Sequence, residues 1–136
     1  MKQHRLMNLS LITIVILIGA SVQSSAAAPP GKEMAVVDLQ DKTYLGKTAL
    51  QGRYIFVHDD SGMAKGEACF YVYEYSQNET GRPEVRPDKL VASFHCEPVT
   101  HPEASQMVLT YGMTTAGQLQ LREIQFAGST EGHRVP

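Results

Sequence analysis

Apolar residues of this chain come in short runs broken by Gly, Pro, Asp and Asn rather than at helical spacing. Six segments read as strands: 34–39, 49–58, 67–75, 89–98, 106–113 and 118–127. Their β-branched and aromatic content supports this, notably Tyr54-Ile55-Phe56-Val57 and Phe70-Tyr71-Val72-Tyr73. Asp59-Asp60-Ser61-Gly62 ends one strand, residues 60–65 have room for a single helical turn, and Thr114-Thr115-Ala116-Gly117 reads as a tight hairpin. The pattern predicts an all-β fold, a small single-domain antiparallel sandwich or partly open barrel of about six strands spanning 34–136.

The third and fourth segments suggest a pairing. Side chains alternate across a strand, so Cys69, Tyr71, Tyr73 and Tyr75 share one face. Leu90, Ala92, Phe94 and Cys96 share one on the next strand. Antiparallel pairing with Cys69 opposite Cys96 then sets Tyr71 against Phe94, Tyr73 against Ala92 and Tyr75 against Leu90. This register favours the three tyrosines as a core face. A half-exposed row would instead be a recognition surface, because Tyr joins a large apolar ring to a polar tip. Residues 76–88, with Val85 their only aliphatic, form an exposed loop carrying the glycosylation sequon Asn78-Glu79-Thr80.

The N-terminus carries an address. Lys2, His4 and Arg5 precede an apolar stretch over 9–22, followed by small residues ending in Ala26-Ala27-Ala28. This is the layout of a signal peptide, and the stretch is shorter than the roughly 17–25 residues a spanning helix needs. Cleavage is expected after Ala26 or Ala27, giving a signal over 1–27 and a flexible leader over 28–33 that includes Pro29-Pro30-Gly31. The product is expected to be exported, periplasmic or extracellular, with no stable membrane insertion after processing. Losing Lys2 and Arg5 leaves 10 basic against 14 acidic residues, which argues against nucleic-acid binding by bulk charge. In an oxidising compartment the only two cysteines, Cys69 and Cys96, are expected to form one disulfide.

Candidate chemistry is sparse. His58, His95, His101 and His133 follow the expected cleavage site. A blue-copper site needs a Cys, two His and a weak Met close together, and no such run exists. His95 and Cys96 are strand neighbours and point to opposite faces. The expected metal ligands are therefore His58, Met63 and His133, a set that favours copper, especially Cu(I). Enzyme signals are weaker. Gly128-Ser129-Thr130-Glu131-Gly132 lacks the spacing of a nucleophile elbow and reads as a polar tail. Asp59-Asp60 suits a turn better than paired catalysis. The leading expectation is a non-enzymatic domain binding a protein or small ligand, the alternative a copper-binding module, and the third a small hydrolase.

Overall fold

The computed structural model describes residues 32–136. The expected signal, 1–27, lies outside the described residues, as does the leader up to Gly31. Lys32 and Glu33, expected to end the leader, are instead the first residues of β1.

Among the described residues eight strands form one sheet: β1 (Lys32–Leu45), β2 (Thr48–Asp59), β3 (Phe70–Glu74), β4 (Leu90–Phe94), β5 (Glu97–Thr100), β6 (Val108–Met113), β7 (Leu119–Gln125) and β8 (Glu131–Arg134). β1 and β2 form a long hairpin around Gly46-Lys47, and the positive φ of Gly46 (58°) is what the two-residue turn requires. β1 runs past its expected end at Leu39 because a bulge between Leu39 and Thr43 absorbs the polar residues Gln40-Asp41-Lys42. After β2, a 3-10 helix over Asp60–Lys65 is capped by the Asp59 carboxylate, which accepts from Ser61 N at 3.0 Å. The hairpin expected at 114–117 joins β6 to β7, with Thr114 N and Gln118 O bonded at 2.9 Å.

The strand order is β4-β3-β2-β1-β7-β8-β5, with β6 on the other side of β7. The segment expected as one strand, 89–98, is thus split into β4 and β5, which occupy opposite ends of this order. Only His95 and Cys96 lie between them. Three Cα–Cα steps reach at most about 11 Å. With β6 on one edge of β7, β1 and β8 share its other edge, β1 at Gln120 and β8 at Glu123–Gln125. The sheet curls into an open half-barrel, and β4 and β5 meet at their short link. The expected polar tail supplies β8, which pairs with both β5 and β7.

The core fills the concave face. Ala35, Val37 and Leu39 from β1 meet Leu50 and Phe56 from β2, Phe70 and Val72 from β3, and Leu121 and Ile124 from β7. Phe70 is central: it stacks on Phe94 at 4.9 Å and meets Phe56 edge-on at 5.8 Å. The β3–β4 register is one residue away from that expected. Phe70 pairs with Phe94, Tyr71 with Ser93 and Val72 with Ala92. A one-residue slip exchanges the faces of a strand, so Phe70 and Val72 point inward while Tyr71 and Tyr73 lie half-buried on the convex side. Both faces of β3 are apolar, and the interior takes the side chains without a hydroxyl to satisfy. The Tyr71 hydroxyl donates to Ala68 O at 2.6 Å, and that of Tyr75 to Gln77 Oε1 at 3.3 Å. The tyrosine row is therefore not the core face.

Candidate metal centre

Strand alternation and curl bring one polar cluster to the end of the concave face. Glu33 shares its face with Ala35 and Val37, and His58 shares its face with Phe56. The two are direct cross-strand partners in the β1–β2 register. The third member, His133, comes from the far side of the half-barrel, where β8 pairs Pro98 and Ile124 beside it. Curling the sheet swings β8 over β2, and the two imidazoles meet with centroids 3.9 Å apart. Phe70 and Phe126 wall in the His133 ring at 5.9 and 6.1 Å.

Glu33 Oε2 is the hub. It lies 3.0 Å from His58 Nδ1 and 3.5 Å from His133 Nε2. Donors around a tetrahedral ion at about 2.0–2.1 Å sit about 3.4 Å apart, so these separations already approximate a coordination set. One donor atom from each of Glu33, His58 and His133 lies within 4.8 Å of the other two. Each imidazole also has a carboxylate behind its outer nitrogen. Asp60 Oδ1 is 2.9 Å from His58 Nε2, and Glu131 Oε1 is 3.6 Å from His133 Nδ1. Carboxylates placed there orient metal-binding histidines and raise their basicity.

The cluster is unsatisfied as a purely structural feature. His133 is 0 % exposed, yet neither ring nitrogen has a hydrogen-bond partner. His58 Nε2 is also unpaired, because Asp60 is close but misaligned with the N–H direction. Buried polar atoms of this kind are rare and costly. The electrostatics is equally polarised. Contact with His133 and then the hydrogen bond from His58 hold the Glu33 carboxyl at about 2, against the opposing effect of burial. Burial disfavours protonation of His58, but the Glu33 hydrogen bond and the Asp60 charge outweigh it and raise its pKa.

No protein-family model, curated protein or solved structure matches the chain. The site's own geometry therefore carries the functional argument.

Of the expected metal ligands, His58 and His133 come together, and the acid that joins them is Glu33. Met63 lies on the 3-10 helix after β2 with 47 % of its surface exposed. His95 is exposed in the β4–β5 link. His101 pairs with Glu123 against Gly132, where an added Cβ would sit 2.9 Å from His101 Cδ2. Gly132 and His133 are strand neighbours, so His101 occupies the opposite face of β8 from the cluster. Cys69 and Cys96 are disulfide-bonded, with Cα atoms 6.1 Å apart, and the bridge fastens β3 to the β4–β5 link. Ser129 shapes a turn: its Oγ accepts from Glu131 N at 3.1 Å at the entry to β8. Asp59 and Asp60 divide their work, one capping the 3-10 helix and pairing with Lys32 at 3.0 Å, the other facing His58.

Sequence reasoning missed Glu33, Asp60 and Glu131 as members of the cluster. The signal for Glu33 was present: the inward alternation Leu39, Val37, Ala35 extends back to it by one more step of two.

Proposed function

We propose that this protein is an exported, non-enzymatic module that binds one divalent transition-metal ion through Glu33 Oε2, His58 Nδ1 and His133 Nε2. The observation carrying this reading is His133, completely buried with both nitrogens unpaired and one facing the Glu33 carboxylate. An ion between these donors satisfies the inward nitrogens, while the Asp60 and Glu131 carboxylates lie 2.9 and 3.6 Å from the outward ones. Two imidazoles and a carboxylate suit Cu2+ or Zn2+, with Cu2+ the tighter by the usual affinity order, rather than the Cu(I) expected from a methionine ligand. Entry is from the rim, where Glu33 and Asp60 keep 30 and 54 % of their side-chain surface exposed.

Export is supported by the signal-like N-terminus and by the disulfide. No helix among the described residues is long and apolar enough to cross a membrane.

The test is calorimetric titration of tag-free protein with Zn2+ and Cu2+. Glu33→Gln, His58→Ala and His133→Leu should each weaken binding at least about tenfold, while Met63→Leu leaves it unchanged. Affinity no better than that of an isolated surface histidine, or indifferent to all three substitutions, would remove the proposal.

A further inference from the structure

The same histidine faces a second set of donors. Cys69 Sγ, Cys96 Sγ and one nitrogen of His58 lie within 4.8 Å of one another. Cys69 is held rigidly there: its carbonyl accepts from Asp59 N at 2.8 Å and its N–H donates to Phe94 O at 3.2 Å. Cys69 Sγ also accepts the Cys96 N–H at 2.8 Å. Two sulfurs on a tetrahedral ion at about 2.3 Å sit about 3.8 Å apart, a separation open to side chains whose Cα atoms are 6.1 Å apart.

We propose that reduction of the Cys69–Cys96 disulfide creates a second metal site, with two thiolates and His58 as ligands, selective for soft ions such as Cd2+, Zn2+ or Cu(I). Reduction by a dithiol delivers two electrons and two protons to the bridge, giving two thiols, while the dithiol becomes a cyclic disulfide. A divalent ion then displaces the two thiol protons and binds both sulfurs. The disulfide withholds these ligands in the oxidised protein, so the ion bound depends on the redox state. Competition for His58 between this site and the Glu33 centre rests on the function proposed above; the thiolate site itself does not.

The experiment is absorbance titration of tag-free protein with Cd2+ and Co2+, before and after treatment with a phosphine reductant. The phosphine takes an oxygen from water as it reduces the disulfide, and it leaves no competing thiol. The expected result is a sulfur-to-metal charge-transfer band at one ion per chain, seen only after reduction and with the β-sheet circular dichroism retained. Cys96→Ser should abolish the band, and His58→Ala should weaken the affinity behind it at least about tenfold. No band in the reduced, folded protein, loss of the fold on reduction, or a band indifferent to His58→Ala would overturn the proposal. The two sites fail separately. Binding by the oxidised protein without a band after reduction removes only the thiolate site, and a band without oxidised-state binding removes only the Glu33 centre.

Discussion

Replacing His133 by leucine should stabilise the metal-free protein and destroy its response to metal. The side chain is 0 % exposed, enclosed by Phe70 and Phe126, and carries two nitrogens without hydrogen-bond partners. A buried unsatisfied polar group costs about 1–3 kcal/mol, and an apolar residue of similar size avoids that cost. Leucine forfeits the ring contact with His58 and the attraction of Glu33, so the net gain should be about 1 kcal/mol. For a domain of this size that raises Tm by roughly 4–8 °C. Metal reverses the order. At a free-ion concentration of 100 times Kd, the natural protein gains about 2.7 kcal/mol, while the variant gains almost nothing. Scanning calorimetry of both proteins, first with chelator and then with Zn2+, should show the two melting curves change places. A variant less stable than the natural protein in chelator would mean that His133 is a structural residue, and an undiminished metal response in the variant would refute its role as a ligand.

Glu33→Gln probes the same centre through pH. The Glu33 carboxyl is held at about 2 rather than 4.5, a difference equivalent to about 3 kcal/mol before allowance for its partial exposure. A lowered carboxylate pKa stabilises the fold above the ordinary value, and that contribution is lost as pH falls from about 4.5 to 2. Urea denaturation in chelator should therefore show Glu33→Gln weaker by roughly 2 kcal/mol near pH 6, with the gap closing on the acid side. His58 acts with the opposite sign. Its raised pKa contributes stability below the ordinary 6.5 that fades as pH climbs through the raised value, so metal-free stability should decline on the alkaline side. Asp60→Ala and Glu131→Ala should each cost about tenfold in metal affinity without abolishing binding, measurable by the same titration. Reducing the disulfide should cost up to about 3.5 kcal/mol by the loop-entropy estimate for its separation of 27 residues, checked by denaturation with and without reductant.

Much of the sheet was legible because β2, β6 and β7 each carry their own alternation between turn residues. β5 and β8 were not. Each has four residues, Glu97–Thr100 and Glu131–Arg134, and they exist as strands because they pair with each other from distant parts of the chain, which no local pattern encodes. The β3–β4 register slipped because Phe70-Tyr71-Val72-Tyr73 is apolar on both faces, leaving only the tyrosine hydroxyls to decide between them. The Cys69–Cys96 bridge was expected from that register and forms in the neighbouring one. At the candidate site, His58 and His133 stood out by residue type, whereas Glu33 was hidden by the Pro-Pro-Gly segment before it. That segment marked the start of β1 too late by two residues.

The most direct test is long-range proton–nitrogen NMR of the histidine rings, recorded as Zn2+ is added to the oxidised, tag-free protein. The arrangement predicts that His58 Nδ1 and His133 Nε2 change together at one equivalent, while the His95 and His101 rings keep their shifts. Zinc-dependent changes confined to His95 or His101, or none at His133, would contradict the metal centre.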